Sequence, residues 1–301
     1  MNLENIMGNA KKRIKTLACA GLVGLALAAS AEAAIIYVSP GESIQAAIDS
    51  AFTGDEVHVN PGTYYGKVNM KDSVDLIGSG ADVTIMDAQG SDDYGVVYAL
   101  NIQDPTTTVA GFTLRNGGFN CDGVKLSNSR MIIERNIIRD NGGGSMSYAG
   151  NGIGVLESVA VIRNNTIYNN IGVGIWIQGY QLTLEPSSIF NNIVIGNYEG
   201  IDSISHVPPI LSNNDVWGNP HNDYYNVTST DDISEDPLFI GNGNYHLQSG
   251  SPCIDTGLDI GLPYHGSAPD MGAFEYIPEP ATMSLLALGG LAGLLVRRRN
   301  K

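Results

Sequence analysis

The chain has 301 residues, with 31 Asp and Glu against 16 Lys and Arg, a net charge of −15. That balance argues against nucleic acid as a partner, since such binding rests on Lys and Arg meeting phosphates, and it disfavours tight binding to an anionic polymer such as polygalacturonate. Three cysteines are too few for a disulfide framework, and the five histidines (His58, His206, His221, His246, His265) show no metal-ligand spacing.

In chain order, Lys11-Lys12-Arg13-Ile14-Lys15 precedes an apolar run from Leu17 to Ala29, then Ala-Ser-Ala or Ala-Glu-Ala before Ala34. Basic, apolar and small residues in that order read as a secretory signal peptide over residues 1–33. Without it and the tail, residues 34–277 hold 8 Lys and Arg against 28 Asp and Glu, so the body carries 8 − 28 = −20. Acidity of that size also keeps an exported protein soluble.

The body opens with a helical cap. Ser39-Pro40-Gly41-Glu42 has capping-box spacing, and Ser43 is an equally good N-cap. Ile44, Ala47, Ile48 and Ala51 fall on one helical face. From Val74 to Phe112 short β-branched runs alternate with Gly, Asp and Pro turns.

A repeated phrase then takes over. IIERN-IIRDN ends at Asn141, VIRNN-TIYNN at Asn170, SIFNN-IVIGN at Asn197 and ILSNN-DVWGN at Asn219; a weaker copy, AGFTLRN, ends at Asn116. Apolar and polar residues alternate with the period of a strand, and the closing Asn tolerates the left-handed backbone of a turn. Ahead of each full copy stands Gly plus a β-branched residue: Gly123-Val124, Gly152-Ile153, Gly174-Ile175, Gly200-Ile201. Repeats of this length mean a solenoid. Stacked at one strand spacing, Asn136, Asn165, Asn192 and Asn214 form a ladder of amides, where stacked carboxylates would repel. On these residues, from about Ile35 to Val227, the chain resembles a right-handed parallel β-helix of the pectate-lyase-like superfamily. The implied class is all-β, with residues 34–230 as the solenoid.

Residues 231–277 leave the repeat, reading DDISEDPLF, YHLQSGSPCIDTG and APDMGAFEY. They resemble the C-terminal segment of the bacterial surface proteins called choice-of-anchor Q. Leu238, Phe239, Leu247, Ile254, Phe274 and Tyr276 are expected to cap the last coil, with Tyr245–Leu247 as its last strand. Residues 278–301 carry Pro278-Glu279-Pro280, sixteen apolar or small residues from Ala281 to Val296, and Arg297-Arg298-Arg299. A helix of sixteen residues reaches about 24 Å, a short membrane span with its basic end toward the cytoplasm. This order resembles a PEP-CTERM sorting signal, which implies an exosortase-type processing enzyme as partner and a membrane association confined to this segment.

The superfamily includes lyases, hydrolases, esterases and non-catalytic surface proteins, so the site must decide function. In such lyases the base is usually Lys or Arg, often with calcium held by Asp. From Asn164 to Val296 there is no Lys or Arg. Lys125, two residues after a repeat Gly, is the best-placed candidate base, with Asp122 as its carboxylate. Asn120-Cys121-Asp122-Gly123 is faintly similar to the Asn-Thr-Asp segment of polygalacturonases, but the paired carboxylates, Gly-His-Gly and Arg-Ile-Lys of that family are missing. Asp231, Asp232, Glu235 and Asp236 are calcium candidates without the spacing of a known loop, and a solvated acidic turn explains them as well; no metal or other cofactor is assigned.

For a sugar, aligning on the repeat Gly places Lys125, Gly154, Trp176 and Asp202 at one position of successive coils, with Tyr148 and Tyr180 in adjoining turns. Trp176 is expected to point outward, opposite to Ile175, and to offer a stacking face beside which Asp202 accepts hydroxyl hydrogen bonds. Two functions follow as expectations: a non-catalytic surface or matrix protein contacting exopolysaccharide, and a polysaccharide lyase.

Overall fold

The computed structural model describes residues 33–92, 94–143, 150–181 and 185–278. The signal-peptide segment before residue 33, Tyr148, and the tail from Glu279 onward lie outside the described residues.

Three parallel sheets run the length of the body, with eight, seven and seven strands. The first goes from Ile35–Val38 to Ile210–Ser212, the second from Gly62–Tyr65 to Asp215–Trp217, and the third from Val68–Asn69 to Asn222–Tyr225. From Glu56 to Tyr225 each coil gives one strand to each sheet in turn, so consecutive strands lie in different sheets and every ladder pairs equivalent residues of successive coils; the opening strand Ile35–Val38 pairs with Glu56–Val59 in the first sheet. This is a right-handed parallel β-helix, the hand expected of parallel crossovers. Val124, Ile153, Ile175 and Ile201 pair in register in the third sheet, and all four are fully buried. Their β-branched side chains suit a pleated, buried surface.

Two asparagine ladders flank the second sheet. The expected one runs Asn136, Asn165, Asn192, Asn214, each Nδ2 donating to the next Oδ1 at 3.2, 3.0 and 2.9 Å. A parallel one runs Asn141, Asn170, Asn197, Asn219 at 3.0, 2.9 and 3.3 Å. The closing Asn is therefore a ladder residue, and the left-handed backbone falls one position earlier. Arg135, Asn164, Asn191 and Asn213 precede the first ladder with φ of 54°, 51°, 58° and 54°, and Asp140, Asn169, Gly196 and Gly218 precede the second with φ of 53°, 54°, 69° and 65°. Each ladder ends on a carboxylate: Asn214 Nδ2 donates to Asp232 at 3.2 Å, and Asn219 Nδ2 to Asp223 at 2.9 Å. Only the terminal position needs to accept without donating, so only there does Asp fit.

The repeat glycines serve the second ladder. A methyl on Gly174 would lie 2.5 Å from Val194 Cγ1 and 2.9 Å from Asn197 Nδ2. Close approach, not unusual backbone, requires glycine there.

At the N-terminal end, the helix Ile44–Ser50 buries Ile44, Ala47 and Ile48 against the first coil. Ser43, not Ser39, is its N-cap, with Oγ accepting from Ala46 N at 3.2 Å.

The C-terminal segment departs from the expected end cap. Residues 230–233 do extend the last coil, through bridges Thr230–Ser212 and Ile233–Asp215. Phe239–Gly241 and Asn244–Leu247 then form an antiparallel hairpin outside the solenoid sheets, so Tyr245–Leu247 is not a coil strand. From there the chain turns back along the outer face of the second sheet. Leu247, Cys253 and Met271 pack on Ile193 in a second apolar cluster, joined by Phe239, Ile254 and Tyr276. Polar sites on the coils hold this strap: Asn164 Nδ2 donates to Asp270 O at 3.1 Å, Asn191 Nδ2 to Leu258 O at 2.9 Å, and Ala273 N to Thr166 Oγ1 at 3.1 Å. The reason lies in the coils, where outward residues such as Thr166, Ile193 and Asp215 would otherwise meet water and are instead fully covered. Leu238, expected in the cap, stays exposed.

Cys121 and Cys253 are both buried and unpaired. Cys253 Sγ lies 3.1 Å from Asp215 Oδ2. Burial pushes the Asp215 carboxyl up to about 6 and raises the Cys253 thiol.

Two stability measurements follow. Asn192 Nδ2 donates to Ile162 O, Phe190 O and Asn214 Oδ1 at 2.9, 3.0 and 2.9 Å. Asn192→Asp turns that donor into a charged acceptor facing three oxygens, so urea unfolding at neutral pH should show a loss above about 3 kcal/mol. Asp232→Asn, at the ladder's end, should cost less than about 1 kcal/mol. For Asp215, a folded pKa above the unfolded value near 4 means the folded state binds the proton more tightly. Its contribution is complete below about pH 4 and is lost as pH rises through 6, up to about 3 kcal/mol. Asp215→Asn should flatten the stability curve across that window.

Candidate functional site

The third sheet carries the sequence-aligned residues on its outer face. Lys125 pairs with Gly154, Gly154 with Trp176, and Trp176 with Asp202, as the alignment on glycine requires. Trp176 is partly exposed, while Ile175 and Ile177 on either side of it are buried in the core. The strip also extends beyond the repeat: Tyr98 pairs with Lys125, Asn69 with Tyr98, and Tyr225 with Asp202. Sequence alignment missed these positions because Val96 and Asp223 stand where the other coils have the repeat Gly, so the marker for the register is absent there.

Glycine and aspartate set the relief of this strip. Gly154, between Lys125 and Trp176, has no side chain. A methyl there would sit 2.2 Å from Asp122 Oδ2 and 3.1 Å from Lys125 Nζ. The space is used by an ion pair: Lys125 Nζ lies 3.0 Å from Asp122 Oδ2 and 5.2 Å from the centre of the Trp176 ring. One ammonium is thus shared between a buried carboxylate and an indole face, a geometry in which Trp is the best aromatic partner. Asp122 Oδ1 accepts from Asn151 N at 2.6 Å. Burial drives the Asp122 carboxyl above its usual range, with Lys125 pulling the other way.

Asp202 lies low between Trp176 and Tyr225, which is half exposed. Its Oδ1 accepts from Asn226 Nδ2 at 3.3 Å, and burial raises its pKa. The outline is a ridge at Trp176, a notch floored by Asp202 and a second ridge at Tyr225. At the other end Tyr94 and Tyr98 lie with ring centres 4.8 Å apart.

Tyr180 is not brought onto this strip. It sits past the end of strand Val173–Gln178, hydrogen-bonded to Gln178 and edge-on to His206 at 5.9 Å. Its backbone N–H donates to Glu157 Oε1 at 2.9 Å. Sequence reasoning also missed a cluster at the neighbouring register position. Glu199, paired with Val173 and Asn222, accepts from His221 Nδ1 at 2.6 Å, and that imidazole stacks on Tyr198 at 4.8 Å.

The acidic run after the repeat has structural tasks. Asp232 accepts from Asn214 and from Tyr224 Oη at 2.8 Å, Glu235 N donates to Asp215, and Asp236 accepts from Leu238 N. Among the described residues no group of three or more His, Cys, Asp or Glu is arranged to hold a metal ion.

Comparison with known proteins adds one sequence feature and several folds. Residues 277–299 match the PEP-CTERM protein-sorting motif, which implies exosortase-dependent export. The chain is therefore a parallel β-helix protein carrying a PEP-CTERM sorting motif. No curated protein matches it. Solved structures similar to it include the A-module of the Azotobacter vinelandii mannuronan C-5 epimerase AlgE4, with 21% identity, 64% of this chain and 70% of that one covered, and a TM-score of 0.34. Pectate lyase Pel9A is 15% identical over 81% of this chain and 96% of its own, at a TM-score of 0.31. The A-module of the A. vinelandii epimerase AlgE6 is 17% identical over 67% and 78%, also at 0.31. Among the described residues no helix is long and apolar enough to cross a membrane; the apolar run of the tail lies outside them.

The Gly154 gap is open to test. Gly154→Ala forces a methyl against Asp122 Oδ2 and should separate the Lys125–Asp122 pair. Urea unfolding should register about 1–3 kcal/mol of destabilisation, the usual cost of overpacking, whereas Leu156→Ala, on the same strand but partly exposed, should cost less.

Proposed function

We propose that this is an exported surface or extracellular-matrix protein that holds exopolysaccharide along the outer face of its third sheet, without catalysis. The observation that carries the reading is the strip itself: Trp176 stands partly exposed between two small residues, in register with Lys125 and Tyr98 on one side and Tyr225 on the other. Coils stacked at one strand spacing place a new contact about every 4.8 Å, a step close to one pyranose unit of an extended glycan. Tyr98, three coils from Trp176, and Tyr225, two coils beyond it, offer further stacking faces at whole-coil intervals, and Asp202 and Asn226 offer hydrogen bonds to hydroxyls.

Export rests on the sorting motif, and the exosortase-type enzyme is the expected processing partner. Transient or permanent attachment through the C-terminal segment belongs to the same reading. Lys125 supports binding better than elimination. A catalytic base needs a free lone pair directed at the substrate, and this amine is already engaged by Asp122 and by the face of Trp176.

Titration of the purified protein with a panel of polysaccharides, with and without calcium, tests this. Trp176 and Trp217 are the only tryptophans, so a fluorescence change that disappears in Trp176→Ala reports the strip directly. Stacking half an indole ring is worth on the order of 1–2 kcal/mol at about 25 cal/mol per Å², so Trp176→Ala should weaken binding about tenfold. New ultraviolet absorbance from unsaturated products during the incubation would replace this reading with that of a lyase.

A further inference from the structure

The charge on the strip restricts what it accepts. Among the paired positions Asn69, Tyr98, Lys125, Gly154, Trp176, Asp202 and Tyr225, Lys125 is the one Lys or Arg; carboxylates stand within the strip at Asp202 and beside it at Asp122 and Glu199. The Lys125 ammonium is already matched by Asp122 at 3.0 Å. Toward the C-terminal end the imbalance grows, because from Asn164 to Ile277 the sequence contains no Lys or Arg. A polymer lying from Trp176 across Asp202 to Tyr225 therefore meets aromatic faces, amides and carboxylates, with no lysine or arginine of these coils to receive an acid group.

We infer that the strip takes a glycan free of acidic groups, amino sugars included, and rejects polyuronates. This rests on the glycan-binding reading above and adds the chemical class of the ligand. Two costs exclude a uronate. Like charges only a few ångströms apart repel even near a protein surface, and Asp202, already low between two aromatic rings, has no cationic side chain beside it to offset a second carboxylate. A hexosamine unit meets neither cost. Its ring stacks on Trp176, its hydroxyls and amide reach Asp202 and Asn226, and an amine at that place would be attracted.

Fluorescence titration of the full chain with hexamers of N-acetylglucosamine and of galacturonate, each at low and at moderate salt, decides the matter. The expected result is binding of the N-acetylglucosamine hexamer that falls about tenfold in Trp176→Ala and changes little with salt. The galacturonate hexamer should bind at least tenfold more weakly at low salt and improve as salt screens the repulsion. Asp202→Asn should narrow the gap by strengthening galacturonate. Galacturonate binding that is as tight as that of the neutral hexamer, weakens with salt and is lost in Lys125→Ala would overturn the charge assignment while leaving a glycan site in place. Absence of any Trp176-dependent signal with either hexamer would remove the glycan reading itself, and this inference with it.

Discussion

The amide–amide hydrogen bond between equivalent asparagines is the interaction on which this fold depends. An amide both donates and accepts, so it propagates along the axis while its second N–H reaches a backbone carbonyl of its own or the preceding coil: Asn165 to Ile133 O and Asn192 to Ile162 O. These groups are completely buried, and a buried polar group must be paired. The ladders consequently fix the register of the coils from Asn136 to Asn219. The outer strip of the third sheet inherits that register where it crosses them. The glycine at the start of four third-sheet strands, Gly123, Gly152, Gly174 and Gly200, is part of the same device, because only there can the second ladder's amide approach the chain so closely.

What the register delivers at the surface is a row of side chains whose chemistry is unconstrained by the core. Coils can exchange Lys for Gly, Trp or Asp at this position without disturbing the buried valine and isoleucines one residue before. The row therefore holds the protein's individuality, and the charges along it are set by which coil contributes. The coils up to Arg163 supply all the Lys and Arg of the body, and the later ones, histidines aside, supply only acids. That asymmetry is a property of the sequence, but its bearing on a ligand emerges only when the coils are stacked.

Much of this was legible beforehand, for physical reasons. Period-two alternation and the 22- to 29-residue repeat specify stacked parallel strands, and the glycine phrase aligns Lys125, Gly154, Trp176 and Asp202 because that glycine is a packing requirement. Where the requirement lapses, as at Val96 and Asp223, the alignment lapses too, and Tyr98 and Tyr225 stay hidden. The second ladder escaped notice for another reason: a turn asparagine and a ladder asparagine look alike in sequence, and only backbone angles separate Asn191 from Asn192. The C-terminal strap could not be read at all. Apolar residues such as Leu247 and Met271 announce that they will be buried, but not whether against the end of a solenoid or along its side.

The route of that strap has a mechanical consequence. Its last described stretch is tied by Asp270 to Asn164, by Ala273 to Thr166 and by Gly272 to Asn191, all on interior coils, and it leaves the body at the exposed Ile277. Tension arriving through the chain beyond residue 278 is therefore delivered to the flank of the stack rather than to its final turn. A pull at the last turn would peel coils away one after another, each giving up its hydrogen bonds in sequence. A pull at the flank loads the attachments to Asn164, Thr166 and Asn191 together.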